Sequence, residues 1–357
     1  MTRKNKILYA ASTQSHLWRF HMPYIEEMRK NAEVLLMADG DQVDFPIRFD
    51  KHFFSFSNLK SILQIRKILK REQFDMIVVH TTLAAFLIRT ATFGMRKRPY
   101  IKNVVHGYLF SEELKSKKDK VLLFCEKLMR KRTDEILVMN QEDLRIAKRY
   151  QLCRGKISFI NGMGLSDRLP TPACDPTLRA QFASDEQEIL CTFVGELSPR
   201  KNQRFLMEAI AKLRNEGFPL KLLLLGEGST RAQLEQAQEE LLLNEHVFLP
   251  GNQEGVMPYL GITDVYLSAS TSEGLPFNLL EAMHCGLPIL ATDVKGQNDL
   301  LSAEQLTHLG DLEAFCEKLR LLCKREKGIG AVYYPNLKDY RLSSVFDQNL
   351  KLLSTEL

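Results

Sequence analysis

The sequence predicts an α/β protein built from two doubly wound parallel sheets. Three observations carry this. Short runs rich in Val, Ile and Leu recur along the whole chain, with helical patterns between most of them. The runs are almost continuously apolar rather than alternating, as strands covered by helices on both faces are. At 357 residues the chain is also long for one core, and the strand–helix pattern starts afresh after a proline-rich break.

The first strand is KILYAAS. The basic start MTRKN followed by an apolar run invites a signal-peptide reading, but the run is short and breaks at Ser12-Thr13-Gln14-Ser15, so it reads as a buried strand. EVLLMA, MIVVH, YIKNVV, EILVMN and KISFI follow, with helical patterns such as Leu59–Lys70 and Val121–Arg132 between them. Ser166–Asp185 carries three prolines and little periodicity, which marks a linker. The expected division is an N-terminal Rossmann-like domain at 1–167, a linker at 168–185 and a second such domain at 186–338. In the second domain the strands are EILCTFVG, KLLLLG, HVFLPG, VYLSAS and PILATD. A last helix within 339–357 sets Leu342, Val345, Phe346, Leu350 and Leu353 on roughly one face, and is expected to pack back towards the N-terminal domain. Two such domains make a cleft, and ligands of open α/β sheets bind outside the carboxyl ends of strands.

Composition excludes other classes. With 45% hydrophobic and 26% charged residues the chain is globular, not disordered. No apolar run reaches the length of a membrane span. Seven scattered cysteines without CxxC spacing point to a reduced, cytoplasmic protein with no structural metal. Charge is uneven: residues 1–167 hold 31 Lys+Arg and 18 Asp+Glu, a net of +13, and residues 168–357 hold 18 and 26, a net of −8. A basic first half suits nucleic acid, anionic lipid or a phosphorylated substrate. No aromatic-interleaved basic motif is present, which argues against nucleic acid.

The second half carries three candidate ligand elements, each after a strand. VYLSAS is followed by Glu273-Gly274-Leu275-Pro276-Phe277 and a helix expected from Pro276 to about Cys285, with Gly286 as its stop. Amides near Leu275 to Phe277 at a helix N-terminus attract phosphate. Glu273 precedes them and Glu281 lies about a turn and a half into the helix, so carboxylates stand on both sides of the helix mouth. Helix capping or surface decoration is the alternative. After EILCTFVG, which ends at Gly195, Arg200-Lys201 can clamp a diphosphate, although such a pair is also an ordinary solvated face. After KLLLLG, Gly226 and Gly228 let backbone approach a ligand closely.

Taken together, GELSPRKN, LLGEG and SEGLPFNLLEAM resemble the C-terminal domain of retaining family-four glycosyltransferases, enzymes of the GT-B fold with two Rossmann-like domains facing a cleft. The resemblance covers nearly the whole second half. It implies that Glu273 holds the hydroxyls of a donor sugar and Glu281 the ribose of its nucleotide. It places the turn of Gly274, Leu275, Pro276 and Phe277, with amides near it, at sugar and phosphate, with Arg200 and Lys201 on the leaving diphosphate. Gly195, Gly226, Gly228 and Gly251-Asn252 then line the nucleotide pocket. The loop DVKGQNDL (Asp293–Leu300) is similar to the one that follows this motif in the polysaccharide-making subgroup.

In the first half, YIKNVV ends at His106-Gly107, where the family often carries a histidine near the donor sugar. His106 is therefore expected to contact the sugar and stabilise developing charge; a buried structural histidine is the alternative. SHLWRFHMPYIEEM follows the first strand where many relatives have a glycine-rich loop. It offers His16, Trp18, Arg19 and His21, and Trp18 is the chain's single tryptophan. With HGYLFSEE and INGMGLSD it is similar to enzymes of exopolysaccharide and O-antigen assembly. Aromatic and cationic residues there suit an acceptor sugar or its diphosphate, with core packing as the alternative. Lys115–Arg132 holds eight cations and two acids around Val121, Leu122, Phe124, Cys125 and Leu128, and Asn58–Arg71 is similar in kind. Both suit an anionic membrane surface.

The expected activity is metal-independent transfer of a sugar, with retention, from a nucleotide-diphosphate sugar such as a UDP-sugar to a hydroxyl. The acceptor is expected to be a glycan or a polyprenyl-diphosphate-linked sugar, with the enzyme peripheral on the inner face of the cell membrane. No cofactor is expected. A retaining glycoside hydrolase shares the paired carboxylates but not the Arg-Lys pair. Asp39-Gly40-Asp41 matches the DxD of metal-dependent transferases but falls where a turn is expected. A nucleotide-sugar epimerase and a non-catalytic transferase-like subunit are the remaining alternatives.

Overall fold

The computed structural model describes residues 4–50, 55–171, 173–324 and 332–354. Met1–Arg3, Pro172 of the expected linker and Thr355–Leu357 of the expected last helix lie outside the described residues. The chain divides into two compact units, Met1–Gly164 with Asp339–Leu357, and Leu165–Lys338.

The first unit is built on β1 (Lys6–Thr13), β2 (Glu33–Asp39), β3 (Phe45–Pro46), β4 (Met76–His80), β5 (Tyr100–Val105), β6 (Glu135–Val138) and β7 (Ile157–Phe159). All pair in parallel, in the order β3-β2-β1-β4-β5-β6-β7. β4 is buried along its whole length, the reason its run MIVVH is continuous rather than alternating. The order reverses between β1 and β4, so the chain leaves these two neighbouring strands in opposite lateral directions. That topological switch point opens a crevice at their carboxyl ends.

Helices cover both faces. The helix Phe56–Glu72 is opened by Ser55, whose hydroxyl accepts from the Asn58 amide at 3.2 Å. The helix Lys117–Met129 starts in a capping box, Ser116 and Asp119 each accepting the other's backbone N–H. It ends at Met129, with Arg130–Arg132 a separate 3₁₀ turn, so it stops short of the expected Arg132. Its inward face is unusual. Leu123, Glu126 and Met129 are buried, and Glu126 forms a bidentate pair with the fully buried Arg89 at 2.8 Å in both contacts. The helix Leu342–Ser354 packs on Met22–Arg29. Asn349 donates to Tyr24 Oη (3.2 Å) and the Gly162 carbonyl (2.8 Å), and buried Lys102 donates to the Leu352 carbonyl at 2.7 Å.

The second unit repeats the plan with β8 (Ile189–Val194), β9 (Leu220–Leu225), β10 (Val247–Gly251), β11 (Val265–Ser268), β12 (Ile289–Thr292) and β13 (Leu306–Thr307), ordered β10-β9-β8-β11-β12-β13 and parallel throughout. Its switch point lies between β8 and β11. Residues 173–185 are largely exposed yet anchored to this unit at particular points. Pro176–Ala180 is a short helix capped by Asp175, and Arg179 holds Asp264 at 2.7 Å and the Ile262 carbonyl. Gly261 lies so close to the Ala173 carbonyl that a side chain there would collide with it.

Candidate active site

The segment after β8 makes a tight turn. The amides of Lys201 and Asn202 both donate to the Ser198 carbonyl, at 3.0 and 3.2 Å, and Asn202 takes a left-handed conformation before the helix Gln203–Asn215 begins. Arg200 and Lys201 therefore sit on this turn rather than on the first helical residues. The segment after β11 runs alongside, tied by the Thr271 amide to the Arg200 carbonyl at 2.8 Å. The two segments meet at one carboxylate. Arg200 Nη1 reaches Glu273 Oε2 at 2.7 Å, and Lys201 Nζ reaches Glu273 Oε1 at 2.6 Å. Arg200 also donates to the Ser272 carbonyl at 2.9 Å.

Glu273 and Lys201 are buried, whereas the Arg200 side chain is 43% exposed. Burial would raise the Glu273 carboxyl, but the charges of Lys201 and Arg200 outweigh it and hold it below the ordinary carboxylate range. Burial pulls the Lys201 ammonium below its ordinary value against the pull of Glu273. The cluster sits at the switch point, where a ligand meets the ends of β8 and β11.

The helix after Glu273 runs Phe277–His284, and Gly286 ends it with φ +66°. Pro276 is its cap rather than its first residue, with an extended ψ of 98°. It has no N–H, so it shapes the turn without offering a donor. Glu281 is half-buried on this helix near Cys285, whose thiol is pushed up to about 12 by burial and then by the Glu281 charge.

The expected nucleotide-pocket glycines line adjacent strand ends. Gly195 donates to the Leu225 carbonyl at 2.9 Å and Gly226 to the Gly251 carbonyl at 3.0 Å. A Cβ on Gly226 would run into the Gly195 carbonyl, and one on Gly228 into the Leu197 carbonyl. Both glycines are thus needed for backbone to approach backbone, a structural reason alongside the ligand one.

The loop Asp293–Leu300 braces the site. The Lys295 carbonyl accepts from the Glu273 amide at 3.3 Å, and fully buried Gln297 donates to Ser268 Oγ at 2.6 Å. Gln297 was not expected. One buried glutamine in a polar loop carries no pattern in the sequence.

In the first unit the structure separates the expected acceptor-side residues. Trp18 and Arg19 face solvent on the helix Gln14–Phe20, while His16 turns inward. His16 joins His21, His80 and His106, four of the chain's eight histidines, at the carboxyl ends of β1, β4 and β5. His80 Nδ1 and His106 Nε2 are 3.1 Å apart, and Tyr9 Oη and His21 Nδ1 are 3.2 Å apart. Burial lowers all four imidazoles, His16 to about 4 and the others well below their ordinary value. Asp39-Gly40-Asp41 forms the end of β2 and the bend after it, and the Gln42 amide there donates to Gln14 Oε1 at 2.9 Å.

Two parallel sheets in the 3-2-1-4-5-6 order, with a cation–carboxylate cluster at the second switch point, define the GT-B class of sugar-transferring proteins. The comparisons agree with this. Residues 175–328 match the model "Glycosyl transferases group 1", and residues 6–140 match "Glycosyl transferase 4-like". The chain is 28% identical over 333 residues to EpsD of Bacillus subtilis, named as a glycosyltransferase, covering 89% of this chain and 87% of that one. It is 27% identical over 270 residues to the UDP-Gal:α-D-GlcNAc-diphosphoundecaprenol α-1,3-galactosyltransferase of Escherichia coli, covering 73% and 70%. Among solved structures, Anabaena HepE in complex with UDP and glucose superposes with a TM-score of 0.75 at 18% identity, covering 98% and 99%. The apo lipopolysaccharide outer core galactosyltransferase WaaB gives 0.67 at 16%, covering 99% and 100%. The chain is a glycosyltransferase of the GT-B fold, its first unit matching the 4-like model and its second the group 1 model.

Proposed function

We propose that this glycosyltransferase moves a sugar from a UDP-sugar to a hydroxyl of a glycan or polyprenyl-diphosphate-linked acceptor, with retention and without a metal, in assembly of a bacterial surface polysaccharide. The observation that carries the donor side is the buried Glu273 held by both Arg200 and Lys201 at the β8/β11 switch point. Arg200 and Lys201 are assigned to the diphosphate, where their charges stabilise the leaving group as the anomeric C–O bond breaks. The acceptor oxygen bonds to the anomeric carbon on the same face, and its proton passes to a diphosphate oxygen, so no protein base is required. Glu273 is assigned to the sugar hydroxyls and Glu281 to the ribose. The turn Gly274 to Phe277, Gly195, Gly226, Gly228 and Gly251 are assigned to the nucleotide and sugar. In the first unit, His106 is assigned to the sugar and His16, Trp18 and Arg19 to the acceptor. A relative acting on an undecaprenol-diphosphate acceptor and a structural neighbour bound to UDP-glucose support this choice of substrates.

Peripheral attachment to the inner membrane face has its own observations. The helix Lys117–Met129 turns Val121, Phe124 and Leu128 to solvent, and Phe56–Glu72 turns out Phe56, Leu59 and Leu63. Each set repeats at i, i+3, i+7, one stripe on a helix that also carries lysines and arginines. Lys131 and Arg132 lead into a hollow of about 960 Å³ that Arg96, Lys97, Arg98 and Arg154 also line. Charge of this sign beside exposed apolar stripes supports anionic lipid as the partner of this surface. No described helix is long and apolar enough to cross a membrane.

The test is transfer from a panel of UDP-sugars to a polyprenyl-diphosphate-linked glycan, with chelator present and the product's anomeric configuration read by NMR. Retained configuration with undiminished turnover in chelator is expected. An inverted product, or no transfer from any UDP-sugar, overturns the reading.

A further inference from the structure

We propose that His16, His21 and His106 form a binding site for one divalent transition-metal ion of the zinc class, at the first unit's switch point. One ligand nitrogen from each of the three lies within 4.8 Å of the others. A tetrahedral ion with bonds of about 2.1 Å holds its ligands roughly 3.4 Å apart. The rings therefore need to close by up to about 1.4 Å, within reach of side-chain rotation at His16 and His106, which are only half-buried.

The bonding state of the nitrogens points to an ion. Among the described residues, His16 Nε2, His21 Nε2 and His80 Nε2 are buried without a hydrogen-bond partner, the first two on proposed ligands. Leaving a buried polar atom unpaired is costly, so unpaired nitrogens on neighbouring rings, with centroids 5.0 Å apart, call for something between them. His21 is already held as a ligand is: its Nδ1 meets Tyr9 Oη, which fixes the ring and leaves the Nε2 lone pair uncommitted. His80 does the same for His106. When His106 donates through Nε2 to His80 Nδ1, its own Nδ1 keeps a lone pair for the ion. Neutral imidazole is the form that ligates.

Backbone strain marks the same place. Thr81, directly after His80, has φ +68°, rare for a β-branched residue, and is held there by Ser12, whose amide and hydroxyl meet Thr81 Oγ1 at 3.0 and 2.6 Å. Such strain concentrates at binding sites. Three imidazoles select zinc, cobalt, nickel or copper over magnesium or calcium, which take oxygen ligands. Three protein ligands leave a fourth position for water or an anionic oxygen.

His16 and His106 are also the side chains assigned above to acceptor and sugar, so an ion here and that assignment compete for them; the readout is metal binding rather than transfer, so failure of this site and failure of the proposed reaction are told apart. The full chain, without a polyhistidine tag and stripped with chelator, is titrated with Co²⁺ and then Zn²⁺. The expected result is one Co²⁺ per chain with the visible absorption of a tetrahedral site, displacement by one equivalent of Zn²⁺, and a rise in Tm with Zn²⁺ but not Mg²⁺. His16→Gln and His21→Gln are each expected to weaken Zn²⁺ binding about 100-fold or more, and His308→Gln, at an exposed histidine, to leave it unchanged. Absence of stoichiometric Co²⁺ binding in the wild type overturns the proposal whatever the variants do. So does binding that survives both substitutions, or that His308→Gln removes.

Discussion

Lys201 and Arg200 hold the same carboxylate but stand in different surroundings, and their removal should separate stability from catalysis. The Lys201 side chain is 9% exposed and the Arg200 side chain 43%. Lys201→Met leaves the buried Glu273 carboxylate with only the half-exposed guanidinium. Breaking a buried pair costs about 3–5 kcal/mol, and the remaining Arg200 contact puts the loss near about 3. For a domain of this size, at roughly 2–4 °C per kcal/mol, that is a fall in Tm of roughly 6–12 °C. Arg200→Ala removes a screened partner and should cost less than about 1 kcal/mol in stability. It should nonetheless lower kcat by about 10²–10³, the loss expected for one preorganised donor to developing charge. Lys201→Met combined with Glu273→Leu replaces the buried pair with apolar groups and should recover most of the lost Tm, but not transfer. Thermal unfolding by circular dichroism and UDP release with donor and acceptor present check all three. An Arg200→Ala enzyme with undiminished kcat, or a Lys201→Met protein that melts with the wild type, would refute the division.

Two further outcomes follow from the first unit. His16 is lowered from 6.5 to about 4 by burial, so the unfolded chain takes up a proton at this site at a higher pH than the folded one does. Its contribution to stability is fully present above about 6.5 and is lost as pH falls towards about 4; His16→Gln should lessen the pH slope of urea-unfolding stability across that window without abolishing it, since His21, His80 and His106 are lowered too, and an unchanged slope would count against a buried neutral imidazole. For the membrane surface, Phe124→Ser with Leu128→Ser should lower binding to phosphatidylglycerol vesicles several-fold without moving Tm, since both residues are exposed. Each basic residue near an anionic surface adds about 1 kcal/mol, so binding should also fall steeply with salt and be absent on phosphatidylcholine; salt-independent flotation would contradict this.

The strands were legible because burial on both faces leaves a continuous apolar run, as in MIVVH and KLLLLG. β3 (Phe45–Pro46) and β13 (Leu306–Thr307) were not, since each is two residues at a sheet edge and exists only through its neighbour. The helix Lys117–Met129 was legible as a helix, but its faces were not. Glu126 is inside because Arg89, far away in sequence, meets it there, and Phe124 is outside as a consequence. Arg200, Lys201 and Glu273 were each readable at a strand end, yet their contact needs β8 beside β11, which the local sequence does not encode. The histidines show the same limit. His106, His16 and His21 were each readable after a strand, whereas His80, and the meeting of all four, acquire meaning only once the sheet order brings β1, β4 and β5 together.

The contact also changes what Glu273 must do. Both of its oxygens already accept from the cations assigned to the diphosphate. A carboxylate oxygen has a second lone pair, so sugar hydroxyls and cations can share Glu273. The diphosphate, however, competes with Glu273 for the same two charges. Glu273→Gln removes that competitor while keeping the shape of the side chain, so UDP alone should bind equally well or a few-fold tighter. Transfer should still be lost, because the amide no longer matches the hydroxyls and the cations of the activated donor. Calorimetric titration with UDP, set beside kcat for the donor sugar, separates the roles. A tenfold weaker UDP affinity in Glu273→Gln would mean that the carboxylate's main work is to hold Arg200 and Lys201 in place, with the sugar contact secondary.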